Sequence, residues 1–538
     1  MDSGHAGGAP FGMALPECVV VDGESLGLAD VVAVARRRAP ATLGGAARAR
    51  VETARALVEE IVARGDVVYG INTGFGSFEK VVIPPARVAD LQRNLMRSHA
   101  CAVGRPLDAE VVRAAMLLRA NALARGHSGV RPAIIDRLLQ MLERGVHPVV
   151  PEQGSLGASG DLAPLAHIML VLIGEGAAEY KGQELAGGEA LRRAGLEPVE
   201  LQAKEGLALI NGTQVMTALG ALAAFDAHAY VQSADAVAAL TVDVLRGIPA
   251  HFDERIQRLR PHPGQAVAAA NMRRLLDGSR LTTRPGQIQV QNAYTLRCIP
   301  QVHGAVRDAL SHVAALVVRE ANSVNDNPLL FPETGEVLGG GNFHGQPVSM
   351  ALDYLGIACA ALSGMIERRV ERLVNRNLSG LPAFLTADGG VQSGLMIGQY
   401  TAASLVSENK ILASPASVDT IPSSENQEDH VSMGTTAARK CRAILGNCFK
   451  VLAIEALCAA QAVDVPPLEQ ERELLREKGL PPRARENLAP LTRTVYDFVR
   501  RRSPRLDEDR SLSGEIERLA ADLQAGELCA ALGESGLQ

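Results

Sequence analysis

The sequence predicts a mainly α protein, a long-helix bundle joined to a loop-rich N-terminal part. Three observations carry that expectation. Apolar residues recur at helical spacing through most of the chain. Two runs, 351–374 and 437–462, are long, rich in Ala and Leu and almost free of helix breakers, so they read as buried bundle helices. Strand-like stretches are short and few, Cys18–Val21 and Val149–Val150 being the clearest.

In chain order, residues 1–15 are Gly/Ala-rich and lack a basic region followed by an apolar stretch, so they read as a flexible tail and not a signal peptide. Val51, Ala54, Val58 and Ile61 share one helical face, and Gly65 is placed to stop that helix. Asp108 is placed to cap a helix carrying Val111, Ala115, Leu118 and Ala122, which ends near Gly126. Pro132 opens the next helix, which ends near Gly145. Val306, Leu310, Val313 and Val317 mark a further helix. A boundary near residue 215 divides a front part, 16–215, from a long-helix part, 216–538, that also serves assembly. Glycine clusters at 70–76, 154–160 and 339–345 are the loops where function is expected.

Composition excludes several classes. The 538 residues include 54 Lys+Arg and 60 Asp+Glu, a net charge of −6, which disfavours nucleic acid as a partner. Aromatics make up 3%, with no Trp, so stacking platforms for single strands are not expected. With 47% hydrophobic and 21% charged residues, the chain can bury a large core and is not disordered. The eight Cys are scattered without a Cys-x-x-Cys pair, which fits reduced thiols in a cytoplasmic protein. No window approaches about 18 uninterrupted apolar residues, so no membrane span is expected. Arg500, Arg501, Arg502 and Arg505, followed by Asp507, Glu508 and Asp509, read as a solvated face. No His or Cys spacing calls for a metal, and the absence of a P-loop pattern excludes a nucleotide site at 70–76.

The chemistry concentrates in Gly154-Ser155-Leu156-Gly157-Ala158-Ser159-Gly160-Asp161-Leu162-Ala163-Pro164-Leu165. Three small residues in a row let the backbone fold back on itself, and glycine supplies an unhindered amide nitrogen. The Gly160 nitrogen can attack the Ala158 carbonyl and close a five-membered ring. Loss of water, including the Ser159 hydroxyl, then leaves an electrophilic alkene. Asp161 is placed to cap the helix that follows, and Pro164 fits its first turn, so the ring would sit at a positive helix end.

This string resembles the signature of the ammonia-lyases and aminomutases that build 4-methylidene-imidazol-5-one (MIO) from Ala-Ser-Gly. Four more strings match in order: Tyr69-Gly70-Ile71-Asn72-Thr73-Gly74-Phe75-Gly76, Gly206-Leu207-Ala208-Leu209-Ile210-Asn211-Gly212-Thr213, Gln291-Asn292-Ala293-Tyr294-Thr295-Leu296-Arg297 and Gly341-Asn342-Phe343-His344-Gly345. The resemblance runs from about Val20 to Asp464. It implies a fumarase/aspartase-like helical core and a homotetramer with active sites shared between subunits. It also implies MIO as an internally formed group, with no external cofactor. The reaction it implies is removal of ammonia from an aromatic amino acid. In that family Tyr69 matches the proposed base, Asn211 and Tyr294 match residues that contact or orient the ring, and Arg297 matches the carboxylate anchor. Gln291 adds a polar contact and Phe343 packs beside the ring and substrate. A free tyrosine titrates near 10, so Tyr69 would need donors or positive charge nearby to act as a base.

Two positions bear on the substrate. Ser98-His99 resembles the pair carried by members acting on histidine. Glu428, in Asn426-Gln427-Glu428-Asp429-His430, stands where members acting on phenylalanine or tyrosine have Gln. A carboxylate can accept an imidazole N–H, whereas against a phenyl ring it would be desolvated without a partner. Together they point to L-histidine as substrate and urocanate as product, with tyrosine or phenylalanine lyases and 2,3-aminomutases as the alternative. Cys101-Ala102 and Asn325 depart from the family pattern without touching the triplet.

Overall fold

Long apolar helices organise the molecule in a computed structural model that describes residues 15–74, 80–533 and 537. Most of the expected tail, and Phe75 and Gly76 of the first glycine cluster, lie outside the described residues. The front part holds α1 (Leu28–Arg36), α2 (Gly45–Arg64), α3 (Val88–His99), α4 (Ala109–Ala124), α5 (Pro132–Arg144), α6 (Leu162–Leu172), α7 (Gly187–Arg193) and α8 (Glu205–Ile210). Then come α9 (Gln214–Val244), α10 (Glu254–Arg258), α11 (Pro263–Leu275), α12 (Tyr294–Arg297), α13 (Ile299–Ala321), α14 (Gln346–Val374), α15 (Arg376–Ser379) and α16 (Met396–Leu412). The chain finishes with α17 (Gly434–Asp464), α18 (Glu469–Lys478), α19 (Pro490–Arg500), α20 (Ser513–Gln524) and α21 (Glu527–Leu532).

Local chemistry sets the helix ends as expected in several places. Gly65 and Gly145 end α2 and α5 in the left-handed region, at φ 75° and 73°, where a side chain would be strained. Pro132 is the first residue of α5. Asp108 is at the N-cap of α4, but its side chain makes no capping bond.

The core is α9, α14 and α17 packed on one another, with α13 and α16 alongside. Every residue of α9 except His228 is buried, the mark of a helix enclosed on all sides. From the front part, α1, α4 and α6 also pack on α9, and one hydrophobic cluster runs through both parts. The division expected near 215 thus falls at the start of a helix both parts share. Although no apolar run is uninterrupted, α14 and α17 are long and apolar enough to span a membrane. Their most apolar windows are 61% and 78% buried within the protein, so both act as core helices here.

Among the described residues, nine strands of three or four residues form small sheets. β1 (Val19–Val21) pairs in parallel with β2 (Ala41–Leu43). β3 (Val103–Pro106) pairs with β5 (Pro151–Gln153), and β4 (Val146–Pro148) with β6 (Ala177–Tyr180) and β7 (Gln183–Ala186). β8 (Leu329–Phe331) and β9 (Glu336–Leu338) form a hairpin. Val149 and Val150 are not a strand. They join β4 to β5 between Pro148 and Pro151, neither of which can donate to a ladder, and they spend their backbone groups on Ala177 (2.9 Å) and Leu107 (2.8 Å). The basic run near 500 is not a solvated face throughout. Arg500 pairs with Asp464, and Arg502 with Asp522 and Glu527, tying α19 to α17, α20 and α21. All eight cysteines are free thiols, five of them buried.

Candidate active site

The Ala158-Ser159-Gly160 triplet is pinned from two sides. Gly160 has φ 75°, and a Cβ there would fall 2.1 Å from the Gly212 carbonyl oxygen, so only glycine fits. The Asp161 amide donates to that same oxygen at 2.7 Å. Opposite, the Met433 amide donates to Leu156 at 2.9 Å, and the Ser432 hydroxyl donates to the Gly157 carbonyl at 3.1 Å. The Asn211 amide donates to the Ser159 carbonyl at 2.9 Å. A backbone this tightly folded, with a left-handed glycine nitrogen at its third residue, suits closure of the MIO ring.

Asp161 corrects one expectation. It begins α6, but its side chain makes no capping bond to that helix. Its carboxylate instead accepts the Val215 and Met216 amides of α9, at 2.9 and 2.8 Å. The Ser155 hydroxyl donates to it at 2.8 Å, and Thr435 donates as well. Burial pushes its pKa up, and these four donors oppose that shift. One buried carboxylate thus ties the triplet to the starts of α9 and α17.

The triplet opens on a cavity of about 710 Å³ lined by Tyr69, His99, Ala158, Ser159, Asn211, Phe343 and Glu428. These expected site residues converge from α3, the 154–160 and 339–345 loops, the turn before α9 and the segment before α17. Gly160 sits in the pinned turn behind the cavity wall. Glu428 is held at both oxygens: Ser159 Oγ donates to one at 2.8 Å and Ser423 Oγ to the other at 2.9 Å. Loss of the Ser159 hydroxyl on ring closure would release the first oxygen. The approach to Glu428 runs through Ser424, Glu425 and Asn426, three successive non-glycine residues with φ between 50° and 67°. Such backbone is strained by about 1–3 kcal/mol per residue and persists where the surroundings enforce it. Here a paired bridge between Ser423 and Glu428 closes the loop.

His99 Nδ1 lies 2.9 Å from the Leu95 carbonyl, which can only accept. The neutral ring therefore carries its hydrogen on Nδ1 and keeps a lone pair on Nε2. Burial lowers the His99 pKa, with the nearby Glu428 charge acting in the opposite direction. Ser98 is exposed and bonds to Leu95 and His99, so it orients the histidine and does not line the cavity.

Gln291, Tyr294 and Arg297 are not brought to this cavity within the chain. They form their own group around α12, with Arg297 bonded to Gln291 and stacked 4.7 Å over the Tyr294 ring. Tyr294 is 71% exposed.

Several supporting residues escaped sequence reasoning. Arg119 is fully buried and donates to the Asn211 carbonyl at 2.9 Å and to Gln214 at 2.8 Å. Burial pushes its pKa down to about 10. Asn325, noted as a departure, accepts from Gln214 at 2.6 Å and donates to Thr213 at 2.7 Å. Lys204 and Asp326 form a fully buried pair at 2.7 Å close by. At the rim, His344 and His430 stack with centroids 5.7 Å apart. Two arginines, Arg113 and Arg119, in the otherwise apolar body of α4 were the available signal for Arg119; nothing local announced Ser423.

A helical core that carries a pinned Ala-Ser-Gly turn hydrogen-bonded to a carboxylate at a shared cavity is the arrangement expected of a class of lyase. Residues 26–500 match the family model for aromatic amino acid lyases, and the chain belongs to that family. It is 59% identical to a histidine ammonia-lyase of Symbiobacterium thermophilum, over 95% of this chain and 97% of that one. It is 54% identical to the same enzyme of Caldanaerobacter subterraneus, over 96% and 99%. Among solved structures, tyrosine aminomutase from Streptomyces globisporus aligns with a TM-score of 0.90 at 40% identity, over 97% of this chain and 100% of that one. Histidine ammonia-lyase from Trypanosoma cruzi aligns with a TM-score of 0.87 at 40% identity, over 96% and 95%.

Proposed function

We propose that this enzyme eliminates ammonia from L-histidine to give trans-urocanate, the opening step of histidine breakdown, in the cytoplasm. The observation that carries the reading is the Glu428 carboxylate, 2.8 Å from Ser159 Oγ in a cavity shared with His99. Glu428 and the His99 Nε2 lone pair are both acceptors, and an imidazole ring brings one N–H donor when neutral and two when protonated. A phenyl or phenol ring would leave the carboxylate desolvated against carbon. The fold matches do not separate the readings, since a tyrosine aminomutase and a histidine ammonia-lyase align at equal identity.

MIO, formed from Ala158, Ser159 and Gly160, would supply the electrophile that makes the amine a better leaving group. The chain's own residues do the rest. Asn211 holds the Ser159 carbonyl and fixes the orientation of the triplet. Tyr69 or Glu428 removes the β-proton. Glu428, steadied by Ser423, accepts the imidazole N–H. Phe343 packs against the substrate and helps keep water out.

Arg297 would anchor the substrate carboxylate through its planar fork, with Gln291 and Tyr294 beside it. Because these three lie outside the cavity of their own chain, they would complete the site of a neighbouring subunit in a homotetramer. The exposed stripe Met350, Tyr354 and Ile357 on α14 supports such assembly.

The test is Glu428→Gln assayed with L-histidine. Turnover should fall by about 10²–10³-fold, the range for losing a proton-handling or charge-stabilising group. Unaltered histidine kinetics would remove Glu428 from the mechanism.

A further inference from the structure

A second cavity of about 630 Å³ shares no lining residue with the first. It lies between Ile288 and Gln289, on the loop leading to Gln291 and Arg297, and the first turn of α18. Its wall holds three arginines and one carboxylate. Arg246, 4% exposed, donates through Nη2 to the Pro481 carbonyl at 2.9 Å. Its Nη1 and Nε make no hydrogen bond, Nε standing 3.6 Å from Glu471. Arg483, 5% exposed at its side chain, donates to Val244 and pairs with the same Glu471. Arg376 is exposed on the cavity wall and has no ion pair among the described residues. Burial, with Arg483 adding to it, pushes the Arg246 pKa down to about 10, as expected of a guanidinium whose charge is poorly balanced. Glu471 Oε2 also lacks a hydrogen-bond donor.

The unmet groups are thus two guanidinium N–H sites and one acceptor. These atoms lie just behind the cavity wall; once their side chains turn into the cavity, an oxyanion that also carries a hydroxyl satisfies all three, accepting from Arg246 and donating to Glu471. The start of α18 adds the favourable end of a helix dipole.

We propose that this cavity binds a small hydroxylated oxyanion, of the hydrogen phosphate type, between Arg246 and Arg376, and that its occupation steadies the loop leading to Arg297. The coupling is visible in the backbone. Thr283 donates through Oγ1 to the Arg246 carbonyl at 2.6 Å and through its amide to Gly247 at 3.0 Å. Asn292 clamps Ile248 from both sides, at 2.9 and 3.2 Å, and accepts from Gln289 at 3.0 Å. The turn that positions the buried arginine therefore also positions both ends of the loop. The coupling rests on the role given above to Arg297; the binding does not.

The experiment is calorimetric titration of the assembled, full-length enzyme with inorganic phosphate at fixed ionic strength, with acetate as comparison. Saturable heat with phosphate, weakened about tenfold by Arg376→Ala and abolished by Arg246→Met, is the expected result. If Arg246→Met does not fold, Arg376→Ala alone decides. Absence of saturable heat, or phosphate binding unchanged in Arg376→Ala, overturns the site. Acetate binding as tightly as phosphate overturns the role of the hydroxyl. Coupling is read separately: bound phosphate should lower KM for histidine with kcat little changed, and an unchanged KM overturns it. Failure of the histidine reading would appear as absent turnover, which leaves the binding heat untouched.

Discussion

Gly160 concentrates the chemistry in one position. A methyl group there would fall 2.1 Å from the Gly212 oxygen, at a φ that only glycine adopts freely. Gly160→Ala should therefore block ring closure. The peptide around Ser159 should then lack the mass loss of two waters expected of the native enzyme, and turnover should drop by about 10³-fold or more. Among the residues read from motifs, His99, Asn211 and Glu428 meet at the cavity because their surrounding strings were specific. Ser423 and Arg119 were not legible, because their roles depend on partners brought close only by the fold. Arg119, for example, reaches Asn211 across 92 residues of sequence. A pH effect also belongs at this scale. His147 is buried and accepts from Arg113 at 3.2 Å, and burial together with the Arg113 charge lowers its pKa to about 4. Its unfolded value is about 6.5, so between those values the unfolded state binds the extra proton. Stability is then full above pH of about 6.5 and declines as pH falls toward 4, by about 3 kcal/mol for this group. Unfolding midpoints measured across that range should show a shallower decline in His147→Gln.

Helix periods, proline starts and glycine stops were readable because they act within a few residues. Gly65, Pro132 and Gly145 each do what their chemistry dictates. Asp161 behaved differently. It looked like the cap of the helix it precedes, yet it accepts amides at the start of α9, 54 residues on. Local rules cannot see that choice, which the burial of α9 enforces. Asp161→Ala should leave two amides and the Thr435 hydroxyl without their acceptor and lower stability by about 3 kcal/mol or more, measured by thermal unfolding. Asp161→Asn keeps an acceptor oxygen and should lose less. Val149–Val150 and the Arg500 run misled in a related way. Apolar pairs and charge runs carry no record of the neighbouring prolines or of the acids on distant helices that claim them.

For the whole molecule, helical class and bundle architecture were legible from two long apolar runs. The shared role of α9 was not, because a helix buried on every side has no amphipathic stripe to read. Met350, Tyr354 and Ile357 lie at i, i+4 and i+7 on α14 and stay 41–59% exposed, and Tyr294 is 71% exposed. The homotetramer proposed above would cover both, and it would bring Arg297 to a neighbouring cavity. Tyr354→Asp combined with Ile357→Asp should therefore yield a smaller particle by light scattering and lose activity together with assembly. An active, dissociated variant would contradict the shared site. The most direct test of the central claim is ultraviolet detection of product from the purified enzyme with L-histidine, L-tyrosine and L-phenylalanine in parallel. Rapid urocanate formation from histidine, with little or no coumarate or cinnamate from the others, is the result predicted by Glu428 and His99 facing Ser159. Coumarate or cinnamate as the main product would contradict it.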